Sequence, residues 1–222
     1  MGNIITIAID GPAGAGKSTI AKILSKSLGI TYLDTGAMYR TVALKAIREG
    51  INTRDEASLE KLVSDIDIKI EYHENEQHIF LDGEDVSGKI RTPEVSKGAS
   101  DVSAVKAVRI RMVELQREIA AGQSVVMDGR DIGTFVLPDA KYKFFLNASL
   151  EERARRRYKE QIEKGIKDIT LEDVMRDIEY RDKNDSSRDF APLAKAEDAI
   201  EIDTTDMTVQ QVVEKILSII GC

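Results

Sequence analysis

The segment Gly11-Pro12-Ala13-Gly14-Ala15-Gly16-Lys17-Ser18-Thr19 carries the spacing G-x-x-x-x-G-K-S. Glycines 11, 14 and 16 let the backbone turn its amides inward without Cβ clashes. Successive amides ahead of a helix N-terminus make a cradle for anionic oxygens. Lys17 adds a point charge for β- and γ-phosphates, and the Ser18 hydroxyl can ligate Mg²⁺. A plain turn before a helix would explain the glycines but not the Lys-Ser that follows. The segment predicts a nucleoside-triphosphate site.

A second anion site is suggested by arginine. Arg153, Arg155, Arg156 and Arg157 are bunched, and Arg176, Arg181 and Arg188 follow. The whole chain is nevertheless acidic, with 32 basic against 39 acidic residues and a net charge of −7. That balance argues against a general nucleic-acid binder. A local basic cluster on an acidic protein suits a small anionic ligand. Arginine fits because its planar fork binds phosphate oxygens bidentately and keeps its proton.

On a helix over 150–164, Arg153, Arg156 and Arg157 share one side and Arg155 lies on the other. Hinged at Gly165, that arm would lay arginines over a triphosphate. The competing reading is a solvated face paired with Glu151, Glu152 and Glu160. In the next helix, 171–183, an apolar face (Leu171, Val174, Met175, Ile178) is continued by Arg181, Asp185 and Arg188. A buried stripe that turns charged has left the core for a cleft. Alternatively the helix ends near Asn184 and leaves these residues in solvent. Asp128-Gly129-Arg130-Asp131 follows a buried-type strand. There Arg130 could hold an acceptor phosphate and Asp128 could hold Mg²⁺ through water. Asp34-Thr35-Gly36 with Arg40 offers a hydroxyl and a guanidinium at another strand end, or simply a helix cap.

The elements that must position these residues alternate. Apolar runs at 4–10, 30–34, 124–127, 142–146 and 199–202 read as strands, and amphipathic helices lie between them. This predicts an α/β fold with a mostly parallel sheet, and ligands beyond the carboxyl ends of its strands. The glycine loop, Asp34-Thr35, Asp128–Asp131 and Asn147 all fall at such ends. Over 65–95 the period changes to strict alternation around a polar turn, so antiparallel strands are expected to interrupt the α/β pattern.

The 222 residues suit one domain. No run is long enough to span a membrane. A single cysteine, Cys222, leaves no internal disulfide, and His73 and His78 are weak metal candidates. No Asn/Thr-Lys-x-Asp guanine reader is present, since DKND at 182–185 has the wrong order. Other small-molecule kinases (uridylate, adenylate or shikimate type) and an ATP-dependent regulatory module remain alternatives at this point.

GPAGAGKST, DTGAMYR, LDGEDVSGKIRTPEVS, DGRDIGT, ERARRR and RDKNDSSRDFAPL occur in that order. In this the whole chain resembles the bacterial cytidylate kinase family. The resemblance implies a P-loop nucleoside-monophosphate-kinase fold. Its central parallel sheet would be flanked by helices, with a monophosphate-binding insertion at 65–95 and a short helical lid at 153–170. It implies ATP with Mg²⁺ as one substrate and CMP or dCMP as the other. Residues 11 to 19 would bind ATP. Thr35, Arg40 and Arg130 would hold the acceptor phosphate. Ser100, Arg109 and Asp131 would read cytosine, with Arg188 nearby. Arg181 and Asp185 would contact the sugar, and Arg153 and Arg157 would be lid residues. The family often has serine at Thr35; the hydroxyl is kept. A cytoplasmic monomer without nucleic-acid or membrane partners is expected.

Overall fold

A computed structural model of the chain describes residues 4–74, 76–166 and 168–221. In chain order it contains β1 (Thr6–Asp10), α1 (Lys17–Leu28), β2 (Thr31–Asp34), α2 (Thr35–Arg48), α3 (Glu56–Asp65), β3 (Ile68–His73), β4 (Glu76–Leu81) and β5 (Glu84–Asp85). There follow α4 (Pro93–Val102), α5 (Lys106–Ala120), β6 (Val125–Asp128), β7 (Tyr142–Asn147), α6 (Leu150–Glu163), α7 (Leu171–Ser187), β8 (Ile200–Asp203) and α8 (Val209–Ile220). Between β6 and β7 the segment Ile132–Val136 forms a π-helical turn. Cys222 and residue 167 of the expected lid lie outside the described residues.

Five strands form the expected parallel sheet in the order β2-β6-β1-β7-β8. Its central strands are apolar on both faces because helices cover both. One layer packs Ala8, Leu33, Val125 and Met127 against helices α2 and α5. The other packs Ile7, Ile9, Val126 and Phe144 against α1 and α8. The register sets Asp128 opposite both Ile9 and Asp34. Three aspartates, at 10, 34 and 128, thus end three neighbouring strands on one edge of the sheet.

The alternating segment forms a separate antiparallel sheet, β3-β4-β5. Its apolar side, Ile68, Ile79 and Leu81, joins the same core as Ala8 and Leu33. Tyr72 and Gln77 tie it to the edge strand β2. Tyr72 Oη donates to the Tyr32 carbonyl at 3.0 Å, and the Asp34 N–H donates to Gln77 Oε1 at 2.8 Å. The inserted sheet therefore rests on the main core.

Helix α7 is longer than the sequence pattern suggests, running to Ser187 rather than stopping near Lys183. A Thr170–Asp173 capping box starts it. Its last turn persists because Asp185 and Asn184 find partners across a cleft. Asn184 Nδ2 donates to the Ser100 carbonyl at 2.8 Å. No described helix is long and apolar enough to cross a membrane.

Gly11 shows why the loop needs glycine. Its φ is +146°, and a Cβ there would lie 2.0 Å from the Leu146 carbonyl oxygen on β7. Gly29, with φ +63°, caps α1 and faces open space. Gly11→Ala is expected to cost about 3 kcal/mol of stability. Gly29→Ala should cost about 1 kcal/mol. Denaturant midpoints of the two variants test the ranking, and equal losses would reject the close approach.

Candidate functional site

A cavity of about 1000 Å³ opens at the carboxyl edge of the central sheet. It is lined on one side by Ala13–Thr19, Arg156 and Arg157, and by Thr208, Val209 and Val212 at its far end. On the other side stand Thr35, Arg40, Arg91, Ser100, Arg109, Arg181, Asp185 and Arg188. Asp128–Asp131 lies between the two halves. Gly11 and Pro12 sit behind the loop and do not line the cavity.

The loop half follows from β1 running into α1. Gly14 and Gly16 both have positive φ, and Gly16 is the helix cap with no side chain in the way. The first amides of α1 are left for an anion. Lys17 is buried and donates to the Pro12 carbonyl at 2.7 Å. Burial, together with the nearby Arg130, pushes its ammonium down to about 7. Ser18 Oγ donates to Asp128 Oδ2 at 2.7 Å, and Tyr32 Oη donates to Asp128 Oδ1 at 2.8 Å. Burial raises the Asp128 carboxyl, and the opposing Asp34 charge adds to the shift.

The other half is built around carboxylates that hold arginines. Asp34 caps α2 by accepting from Ala37 N–H, and it also accepts from Arg40 at 2.7 Å and from Arg91 at 3.3 Å. Burial opposes its charge, yet the two guanidiniums hold it below the ordinary carboxylate range. The cap reading of this segment is borne out, and the same carboxylate also gathers two guanidiniums. Thr35 Oγ1 donates to the Asp128 carbonyl at 2.7 Å, which joins α2 to the end of β6.

Asp185 accepts from Arg130 Nε at 2.7 Å and from Ser100 Oγ at 3.2 Å. Burial works against its charge, but Arg130, Arg188 and Arg181 keep the carboxyl low. Asp131 accepts from Arg109 and lies 3.5 Å from Arg188 NH2. Arg109 is 1% exposed and sits over the Tyr39 ring at 5.5 Å. Among the described residues Arg181 reaches only Asp177, at 3.9 Å, and its buried Nε has no partner. Burial and the nearby Arg130 bring its guanidinium down to about 10.

Arg153 departs from the lid expectation. It is 8% exposed and absent from the cavity wall. Its guanidinium donates to the carbonyls of Ala148 and Ala13 and to Asp182. A buried guanidinium needs such partners, and these fix it beneath the glycine loop. Arg156 and Arg157 line the cavity instead, and Arg157 Nε is buried without a partner among the described residues. Arg155 is exposed, and Arg176 pairs with Asp173 on the surface.

Several lining or supporting residues were missed in the sequence. Asp182 accepts from Ala13 N–H at 3.0 Å and so holds the loop from α7. Arg91 shares Asp34 with Arg40. Gln116 lines the cavity at 1% exposure, and among the described residues neither of its amide atoms has a partner. A polar residue two helical turns from Arg109 on a buried face was the available signal. His73 and His78 pair with Glu71 and Asp85. Among the described residues no three His, Cys, Asp or Glu are grouped to hold a metal.

The arrangement can bind two anionic groups end to end, with arginine and lysine at the join. The cytidylate kinase family model matches residues 7–221. The chain is 54% identical over 220 residues to the cytidylate kinase of Clostridioides difficile (strain 630), covering 98% of each. It is 51% identical over 215 residues to that of Caldicellulosiruptor bescii, covering 97% of this chain and 95% of the other. A solved structure, an uncharacterized protein from Eubacterium ventriosum ATCC 27560, superposes with a TM-score of 0.52 at 15% identity over 98% of both chains, a likeness of fold alone. The chain belongs to the cytidylate kinase family and is a nucleoside monophosphate kinase.

Proposed function

We propose that the protein transfers the γ-phosphoryl group of ATP to CMP or dCMP, giving ADP and CDP or dCDP. The observation that carries this is one cavity with a phosphate-binding loop on one side and carboxylate-held arginines on the other. An acceptor phosphate oxygen forms a bond to the γ-phosphorus while the β–γ bridging bond breaks, and the electron pair leaves on ADP. The protein positions the two phosphates and spreads cations around the charge that develops.

In this reading the loop amides and Lys17 hold the β- and γ-phosphates. Arg130 and Arg157 neutralise the transferring group, and Arg153 keeps the loop in place. Thr35, Arg40 and Arg91 face the acceptor phosphate. Arg181 and Asp185 take the sugar. Ser100, Arg109, Asp131 and Arg188 face the base. Ser18 and Asp128 present a hydroxyl and a carboxylate 2.7 Å apart beside the loop. A hard oxygen pair of this kind fits Mg²⁺, which is held largely through water and phosphate. Bound there, Mg²⁺ would neutralise phosphate oxygens. The protein acts as a cytoplasmic monomer.

Base choice follows from hydrogen bonding. Cytosine offers an N4–H donor where uracil offers a carbonyl acceptor. A buried carboxylate such as Asp131 accepts from the first and repels the second.

The direct experiment is ADP release with ATP·Mg²⁺ and a panel of CMP, dCMP, UMP, AMP, GMP and shikimate. Strong turnover confined to CMP and dCMP is expected, and preference for another acceptor would overturn the assignment. Asp131→Asn turns one acceptor oxygen into a donor. It should lower the CMP-over-UMP preference roughly ten- to a hundred-fold, from an unpaired-group cost of about 1–3 kcal/mol. An unchanged preference would remove Asp131 from base reading.

A third outcome concerns Lys17. With its ammonium near 7, the side chain is mostly neutral at pH 8 and charged at pH 6. A polyphosphate favours the charged form. ATP binding at pH 8 should therefore take up nearly one proton, and uptake should fade by pH 6. Calorimetry in buffers of different ionisation heat reads this directly. Lys17→Met should abolish it.

A further inference from the structure

Asp10 ends β1 immediately before the glycine loop, yet its carboxylate points away from that loop. It accepts from Ile132 N–H at 2.8 Å and from Gly133 N–H at 2.7 Å. These amides open the π-helical turn and directly follow Asp131. Asp10 is 4% exposed, and none of the residues assigned to either nucleotide bonds to its carboxylate.

We propose that Asp10 is a positioning residue for the base-reading segment, setting where Asp131 presents its carboxylate. The inference rests on the cytidylate reading above.

The other anchors of this segment lie at its start and at its far end. Gly129 N–H donates to the Ile9 carbonyl at 3.0 Å, which extends the sheet pairing by one residue. Thr35 holds the Asp128 carbonyl. Both fix the start of Asp128–Asp131. Beyond Asp131 the chain leaves the strand, and Asp131 itself has φ −148° and ψ 25°, outside helix and strand. The Asp131 carbonyl accepts from Phe135 and Val136 within the turn. Those bonds shape the turn, and Arg117 on α5 holds its far end by donating to the Val136 and Phe135 carbonyls at 3.0 and 2.7 Å. Asp10 supplies the link between the turn and the central sheet.

The bidentate pattern needs a carboxylate. Two parallel N–H donors call for two acceptor oxygens. An amide has one, and its NH₂ would face the second donor. A displaced turn carries Asp131 with it, and with Asp131 move its contacts to Arg109 and Arg188. A misplacement of about 1 Å can cost roughly a hundred-fold in a positioned reaction. The glycine loop has its own anchors. Gly11 lies against β7, Ala13 N–H is held by Asp182, and the Ala13 carbonyl is held by Arg153. ATP binding should therefore be insensitive to how the turn sits.

The test is Asp10→Asn, with Gly133→Ala as a second variant. A Cβ at Gly133 would lie 3.2 Å from Lys143 Cδ and 3.4 Å from Asp10 Oδ2, so it presses on the turn beside the Asp10 contact without changing charge. For each variant the ratio of kcat/KM for CMP to that for UMP, the ATP Kd and the Tm are measured. In Asp10→Asn the ratio should fall about ten-fold or more, with the ATP Kd within about three-fold of the parent. Gly133→Ala should shift the ratio the same way by less. A lower Tm with the ratio intact would make Asp10 merely structural and overturn the proposal. A weakened ATP Kd with the ratio intact would assign Asp10 to the charge of Lys17, and also overturn it. If Asp10→Asn does not fold, Gly133→Ala decides alone by the same ratio. A parent that shows no CMP preference would reject the cytidylate reading itself, before either variant is compared.

Discussion

Repulsion among cations is the constraint on which this structure depends. Lys17, Arg40, Arg91, Arg109, Arg130, Arg181 and Arg188 all border one cavity. Two like charges about 4 Å apart repel by roughly 4 kcal/mol where the effective dielectric is near 20. The fold answers with aspartates at fixed points. Asp34 and Asp128 end neighbouring strands, Asp131 follows β6, and Asp185 comes from the last turn of α7. Asp34, Asp128 and Asp185 also bond the backbone or a hydroxyl, so each is a hinge pin as well as a counter-charge. Lys17 and Arg181 are the least compensated of the set. Both have their charged forms disfavoured by burial, and both are well suited to an incoming anion.

The glycine loop, the alternation of strands and helices, and the inserted antiparallel strands were legible because each rests on local chemistry. Glycine spacing and apolar periodicity survive in any window of ten residues. The arginines of α7 were legible for a related reason, since the charged stripe continued an apolar one. What could not be read is the pairing. Asp182 with Arg153, Arg130 with Asp185 and Asp10 with Gly133 join residues 29, 55 and 123 positions apart. No local rule sets such distances. Arg153 shows the consequence. Its place on the helical wheel beside Arg156 and Arg157 was evident, but only the carbonyls beneath it decide that it turns inward. The end of α7 was misread for the same reason, because its last turn is stabilised by Ser100 across the cleft rather than by its own sequence.

The inserted sheet illustrates a further limit of periodicity. Alternation identified its strands and their buried side, but not what that side meets. Gln77 pairs with the backbone of Asp34 as a neighbouring strand would. That side-chain amide covers part of the otherwise open edge of β2. It also sits at the residue whose carboxylate gathers Arg40 and Arg91.

Helix α7 touches both halves of the cavity. Asp182 grips the loop at Ala13, while Arg181 and Asp185, its close neighbours, belong to the opposite wall. A helix is stiff over so short a distance, so these contacts cannot shift independently. If one nucleotide displaces the helix, the other meets an altered wall. Thermodynamic reciprocity then requires each ligand to change the other's affinity by the same factor, whichever arrives first. The shared helix gives the two substrates a physical route to cooperativity within one polypeptide, without any second subunit.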